Sequence, residues 1–501
     1  MTLRELRKRM RLTAVCVAVA LAFAGCSGGG PEAVELSKEA DLAGLHVGST
    51  AGSIYEMMLS KRTDITLSSF NAPSDDVEAL VTGKVDVMVE DDFFISPEEM
   101  TRLGIKRAFF GETRFPVAYA FRKGDAATAR VRESLSAFLD SLRTTGELQA
   151  LYDRWFLCDT PSRVPMPELG PVAEGKPIVV GNVQNIPPIG FPVGKEWHGF
   201  DPEVMQRFSR YVGRPVEFIH VPLTSATTAL QSGNIDILCG GIFVTEERQK
   251  TIDFSSIAYY AYPGYFVKAD GAGQAQLNFW ERLGQTVHNN LVVEERWRYI
   301  VEGLWETVKI SFLSILLGSL LGAGVCWMRM SRRRWVSQTA KAYISLMRGI
   351  PMLVFLMIMF YVVLAGTGLS ATMVAVVAFA MNFAAYVSEM FRTAIESVGK
   401  GQTEAGLAIG FTRWQTFFYI VAPQALRSVM PVYKGEAVSL VKNTSIVGYI
   451  AIQDLTRASD MIRNRTFDAF FPLLLVTVLY FLIAWLLGKL LDLTVKKTIK
   501  K

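Results

Sequence analysis

The stretch GQTEAGLAIGFTRWQTFFYIVAPQALRSVMPVYKGE, residues 401–436, is polar, charged and punctuated by glycine, and it lies between long apolar runs. Connections between membrane helices are usually short. A loop this long and this patterned predicts a contact with something outside the membrane.

On both sides of it, apolar runs near residues 305–328, 343–366, 371–391, 436–453 and 470–492 predict five membrane spans. Positive charge fixes their direction. The loop RMSRRR (329–334), the stretch 401–436 with its flanking Arg392 and Lys400, and the tail VKKTIKK carry the excess of Lys and Arg and are expected in the cytoplasm. Five spans with an exterior start and an interior end satisfy every loop. Asn382, Glu389, Lys442 and Asn443 are polar groups within or at the ends of these spans. Such residues line a transport path or bind helices to each other, and the sequence leaves both roles open.

The chain has 501 residues, half of them hydrophobic and 20% charged, with a mean hydropathy of +0.26. That balance predicts a soluble portion joined to a membrane portion. A net charge of +5 without a long basic run gives no nucleic-acid face. Five scattered cysteines, four histidines and no CxxC or HExxH spacing imply neither a disulfide framework nor a metal, and no cofactor is expected. The start, MTLRELRKRMR followed by an apolar run of about 14 residues, predicts an export signal. Ala24-Gly25-Cys26 resembles a bacterial lipobox, which implies lipidation of Cys26; an ordinary signal or an uncleaved anchor also fits. Each reading delivers the following residues outside the cytoplasm.

Between residues 40 and 268, strand-like segments (LHVGST, VDVMVED, KPIVVGN, VEFIHV, IDILCG) alternate with helical ones, which predicts α/β lobes with mostly parallel sheets. One short pattern occurs twice. Ala79-Leu80-Val81-Thr82-Gly83-Lys84-Val85-Asp86 is echoed by Ala229-Leu230-Gln231-Ser232-Gly233-Asn234-Ile235-Asp236, each read as a helix end, a glycine turn and a strand opening on Asp. Two related lobes suggest a hinged clamp. Residues 269–300 supply a flexible GAGQAQ link and a segment whose Phe279, Trp280, Trp297 and Tyr299 suit a membrane boundary.

Two resemblances attach to these residues. Glu404-Ala405-Gly406, Gly410, Ile420 and Pro423 fall at the spacing of the coupling loop of ATP-binding-cassette (ABC) importer permeases, with Gly406 in place of an Ala and Ala422 in place of a Leu. Residues 301–493 resemble the polar-amino-acid permease subunit throughout. In the soluble part, Gly199-Phe200-Asp201, the run from Gly241 to Arg248 and Asp253-Phe254-Ser255 look like the first lobe of a family-3-type, amino-acid-binding solute-binding protein. The stretch 45–156, with VGSTAGSIYE, VDVMVEDD, YAFRKGD and LYDRWF, looks like that family's other half. The order is reversed, as in a circular permutation joined through the Pro- and Gly-rich linker at 159–176. Two truncated clamps in tandem would share this order, but the halves complement each other and neither is duplicated.

The resemblance implies an α/β two-lobed periplasmic-binding-protein-like clamp followed by an all-α membrane domain of five transmembrane helices, an ABC importer type I permease. Its expected parts are a signal and lipobox (1–26), the clamp's second half (40–158), the linker (159–176), the clamp's first half (177–268), a tether (269–300) and the permease (301–501). Arg248 matches the family arginine that grips an amino acid's carboxylate, a task for a planar bidentate donor, and Asp91 the aspartate that holds its ammonium. Ser53 and Ile54 open a helix whose free N–H groups can help. Gly241, Phe243, Ile186 and Leu223 complete the expected pocket, which is less polar than usual for the family and implies a less polar ligand side chain. Glu404, Ala405, Gly406, Gly410 and Pro423 are expected to receive a separate ATPase on the cytoplasmic face. No GxxxxGK[ST] phosphate loop is present in this chain. A second permease copy, membrane lipid and an amino acid are the other expected partners. A ligand-gated channel of glutamate-receptor type is the alternative, since it too joins such a clamp to membrane helices.

Overall fold

A computed structural model describes residues 34–70, 72–170, 172, 175–193, 196–221, 223–269, 278–365, 367–468 and 470–499. The expected signal and Cys26 lie outside them, as do the GAGQAQ link and part of the linker.

The soluble portion is built on two five-stranded sheets. Strands β1 (His46–Thr50), β2 (Thr66–Phe70), β3 (Val87–Asp91), β4 (Ile105–Phe110) and β12 (Pro263–Lys268) form one, in the order β2-β1-β3-β12-β4. Strands β5 (Phe115–Arg122), β6 (Ile178–Asn182), β9 (Val216–His220), β10 (Ile237–Cys239) and β11 (Ile252–Ala261) form the other, in the order β11-β5-β10-β6-β9. A small hairpin, β7 (Phe191–Val193) with β8 (Glu196–His198), stands apart. The lobe around β6 is called lobe I here and that around β1 lobe II. The chain passes from lobe II to lobe I between β4 and β5 and returns at Tyr262, between β11 and β12. Two crossings make a hinge.

The repeated pattern has one physical cause in both lobes. Gly83 (φ 75°) and Gly233 (φ 80°) adopt the left-handed conformation that ends a helix, α1 (Pro73–Thr82) in lobe II and α2 (Leu223–Gln231) in lobe I. Asp86 and Asp236 then accept the N–H of the neighbouring strand, from His46 at 2.9 Å and Val179 at 3.0 Å. Their own N–H groups donate to His46 O and Val179 O, both at 2.8 Å. The aspartate closes a two-bond ring that sets the strand register.

In the membrane portion, three helices among the described residues are long and apolar enough to cross a membrane. They are α3 (Trp297–Arg329), α7 (Ala371–Ser397) and the apolar part, Phe470–Leu493, of α12 (Phe470–Ile499). A fourth, α4 (Arg334–Gly349) with α5 (Met352–Ile358) and its continuation α6 (Met359–Val363), bends by 107° at Ile350-Pro351. The residue before a proline is driven to extended backbone, and Ile350 sits at ψ 131°. The stretch expected as a span near 436–453 is the end of α10 (Ala422–Asn443) followed by the 3₁₀ turn Thr444–Ile450. Arg427, Lys434, Glu436 and Lys442 keep α10 from reading as a continuous apolar helix.

Small residues set the closest helix contact. A Cβ at Gly318 would lie 2.9 Å from Ala380 O, and one at Gly322 3.1 Å from Ala384 O, so α3 and α7 approach to backbone contact. The clamp rests on α11 (Leu455–Thr466). Arg463 pairs with Asp75 at 2.9 Å, Ser74 donates to Asn464 at 2.8 Å, and Arg102 donates to Thr466 O at 2.7 Å. Phe467 packs edge-on against Phe94, and Tyr299 of α3 donates to Pro192 O at 2.7 Å.

Candidate functional site

The first candidate site lies between the lobes, at the carboxyl ends of β1, β3, β6 and β10. Open α/β sheets present ligand crevices there because the turns after the strands leave backbone groups free. Gly240 (φ 96°) and Gly241 (φ 79°) let the chain after β10 pass close to the loop after β6; a Cβ on them would lie 2.5 Å from Asn182 Oδ1 and 3.1 Å from Gln184 Nε2. Asp201, from the Gly199-Phe200-Asp201 motif, holds this turn by accepting the Gly240 N–H at 2.9 Å.

Arg248 follows in a short helical turn capped by Thr245. Its guanidinium donates to Phe243 O at 3.2 Å in its own lobe and to Gly52 O at 3.3 Å in lobe II. It makes no ion pair with Glu246 or Glu247, and burial pushes its pKa down. Ser53 caps the helix that begins at Ile54, accepting the Glu56 N–H at 3.0 Å. The Gly52 N–H is taken by the Glu56 carboxylate at 2.6 Å. The helix start expected to hold a ligand carboxylate therefore carries one from its own first turn.

Asp91 ends β3 and is buried. It accepts from Tyr55 Oη at 2.6 Å, and Gln184 of lobe I reaches it from across the cleft. Burial, only partly offset by these hydrogen bonds, pushes its pKa up to about 7. Phe243 is buried between the two charged residues. It packs edge-on against Tyr55 at 5.7 Å and Phe115 at 6.0 Å, and those two rings meet at 5.8 Å. The structure thus joins Arg248, Phe243, Gly241, Ser53 and Asp91 around one aromatic cluster. Ile186 is buried elsewhere, in a cluster with Phe94 and Phe467 at the membrane domain, and Leu223 opens α2 half-buried. Tyr55, Phe115 and Gln184 were not singled out by sequence. Tyr55 was within reach, since it directly follows Ser53-Ile54 in the helix they open.

The second candidate site is the stretch 401–436. It forms helix α8 (Lys400–Ala408; this short helix precedes α9), a turn, the four-residue α9 (Arg413–Thr416), a wide helical turn Phe417–Val421 and then α10. Gly410 (φ 92°) makes the left-handed turn, and the Phe411 N–H returns to Gly406 O at 3.1 Å. Gly406 is buried; a Cβ there would lie 2.6 Å from Thr416 Cγ2 and 2.9 Å from Ile420 Cδ1. The lack of a Cβ at Gly406 lets α8 lie against the following turn. Thr412 and Gln415 form a reciprocal cap, and Pro423 sits in the first turn of α10. Glu404 and Ala405 face solvent, and the Glu404 carboxylate has no hydrogen-bond or ion-pair partner among the described residues. Leu407 and Ile409 are exposed beside it, at 42% and 70%.

The span residues divide. Asn382 of α7 donates to Met347 O at 2.9 Å and so binds α7 to α4. Glu389 pairs with Arg392 at 2.8 Å and Arg329 at 3.3 Å. Lys442 and Asn443 are exposed at the end of α10.

Residues 314–500 match the model of the binding-protein-dependent transport system inner membrane component family. The probable amino-acid ABC transporter permease protein YckA of Bacillus subtilis (strain 168) is 34% identical over 198 residues, 39% of this chain and 88% of the relative. This chain belongs to the amino-acid ABC transporter permeases. The L-cystine transport system permease protein TcyB of the same organism is 35% identical over 208 residues, 41% of this chain and 89% of the relative. A crystal structure of an amino-acid ABC transporter with histidines shares 30% identity, covers 44% of this chain and 100% of that one, and gives a TM-score of 0.38. Permease membership leaves no ground for the channel alternative. The stretch 401–436 lies inside the matched region, and the cleft lies before it.

Proposed function

We propose that this permease is the fused solute-binding and membrane subunit of an ABC importer for amino acids or close analogues, energised by a separate ATPase chain. The observation that carries this reading is the pairing, in one chain, of a hinged cleft presenting Arg248 and Asp91 with a permease-family membrane domain. A guanidinium and a carboxyl group on opposite lobes match the two charges of a free amino acid, and closing the lobes brings both to bear.

The remaining parts follow the same reading. The clamp lies outside the cytoplasm and residues 401–436 inside, in accord with the positive charges of 329–334 and of the tail. Glu404, Leu407 and Ile409 give the ATPase a charged and apolar face on a helix fixed by Gly406 and Gly410. A second copy of the chain completes the membrane path, and Cys26 anchors the exported start in lipid. The clamp is a circular permutation; support comes from its strand order, in which each sheet draws strands from both halves and none is duplicated. Phe243, packed with Tyr55 and Phe115, favours a ligand with a less polar side chain.

Calorimetry of the purified full chain against the twenty amino acids tests the solute class. Binding of one or a few amino acids, weakened about 100-fold in Arg248→Ala, is expected. No binding of any amino acid would overturn the reading. Tight glutamine or glutamate binding without apolar ligands would overturn the specificity alone.

A further inference from the structure

The stretch 401–436 does not seal against the spans beside it. Between the ends of α3 and α7, the wide turn Phe417–Val421 and the start of α10 lies a cavity of about 540 Å³. Small or apolar side chains line it, among them Ala323, Cys326, Ala394 and Ala425. Its rim carries large rings: Trp327, Trp414 and Phe418 are 73%, 68% and 59% exposed, and Trp414 stacks on Phe418 at 5.9 Å. The one charged residue that lines it is Arg413, whose guanidinium makes no hydrogen bond or ion pair among the described residues.

Depth, lining and charge select a lipid. Helix α3 ends at Arg329, and from Ala323 to Met330 the cavity follows about 10 Å of the end of a membrane span. Exposed tryptophans suit that level, where a ring meets both acyl chain and headgroup. Facing water, so contiguous an apolar lining would be a liability. Met330 is followed by Arg332, Arg333 and Arg334, whose side chains form no ion pair among the described residues, so the rim and the next loop together offer four guanidinium groups. A second copy seated here face to face would oppose these arginines with its own. A phosphate would match them.

We propose that this cavity takes one acyl chain of an anionic phospholipid of the cytoplasmic leaflet, with Arg413 on its phosphate. The planar guanidinium gives the phosphate two parallel donors, and the alanines and rings take the chain. The lipid thereby joins Arg413 and Phe418 of the stretch 401–436 to Trp327 of α3, and coupling to the ATPase depends on it. The leaflet and the coupling role rest on the importer reading above; the lipid contact itself does not.

Photolabelling of the full chain in detergent, without ATPase, decides the site. The probe is phosphatidylglycerol with a diazirine on one acyl chain, competed by unlabelled phosphatidylglycerol or phosphatidylcholine. Label is expected on Trp327, Phe418 or Leu426, with phosphatidylglycerol the better competitor by about fivefold, the scale of one basic residue facing an anionic lipid. Ala323→Trp, which fills the cavity from an exposed position, should remove that label and keep the label on Phe481, exposed in α12. Arg413→Gln should erase the preference between the competitors, and Arg413→Lys should keep it. Label on the cavity no stronger than on Phe481 would mark bulk lipid contact and overturn the proposal, as would equal competition by the two lipids in the wild type. A disulfide joining two chains through Trp327→Cys would place a second copy there and overturn it too. In proteoliposomes with the ATPase, hydrolysis stimulated by a mixture of the twenty amino acids should rise with phosphatidylglycerol content in the wild type and not in Arg413→Gln. A lipid-independent rate would overturn the coupling role. If the mixture never stimulates hydrolysis, the importer reading fails, while the label still decides the lipid site.

Discussion

The cleft and the stretch 401–436 are the two candidate sites, and the chain builds them in opposite ways. In the cleft the key groups are turned inward and bonded to residues far away in sequence: Arg248 to Gly52, Asp91 to Tyr55. On the loop the backbone is fixed locally by Gly406 and Gly410, and the charged group, Glu404, is left exposed and unpartnered. A ligand entering the cleft must replace contacts the clamp already makes with itself. A protein docking on the loop meets a surface already in shape. The first site is therefore sensitive to closure, and the second to packing.

The largest effect should come from the cleft. Arg248→Ala should weaken solute binding about 100-fold, on the order of 3 kcal/mol. The melting temperature should barely move, because the guanidinium's own partners are two carbonyls. Calorimetry and thermal melts check both. On the loop, Gly406→Val must push Thr416 and Ile420 aside, a strain of about 1–3 kcal/mol. Solute-stimulated ATP hydrolysis should fall about tenfold or more while solute affinity holds. If affinity fell equally, the two sites would not be separable. Glu404→Lys should lower stimulation by a smaller factor, about three- to tenfold, in proportion to an exposed charge contact.

The smallest effect concerns pH. Burial pushes Asp91 and Asp201 up to about 7 and Glu90 up to about 8. Carboxyl groups whose folded pKa is raised hold protons that the unfolded chain has already lost. These three groups should thus add stability that is fully present below about pH 4 and is lost as pH rises to about 7 to 8. Asp91→Asn should flatten part of that slope in melts across the range. An ammonium ligand that ionises Asp91 should release up to about one proton near pH 6, seen as buffer-dependent binding heat. A pH-independent clamp would contradict this account of the cleft.

The same contrast explains what could be read from residues alone. The turns at Gly83 and Gly233 were legible because their causes are local: a glycine, then an aspartate that closes on the neighbouring strand. So was the loop, whose glycines lie within five residues of each other. The bend at Ile350-Pro351 carried a signal in the proline, hidden by the apolar composition around it. The bounds 436–453 missed the helix itself because an apolar average does not show that it starts at Ala422 and ends at Asn443. Least legible were the Tyr55–Phe115–Phe243 cluster and the Arg463–Asp75 contact, which join residues that only folding brings together.

ATP-dependent uptake of radiolabelled amino acid into proteoliposomes holding this chain and its ATPase tests the central claim most directly. The account predicts uptake that requires ATP on the loop side and solute on the clamp side, and that is lost in both Arg248→Ala and Gly406→Val. Solute flux without ATP, or uptake undiminished in both variants, would contradict it.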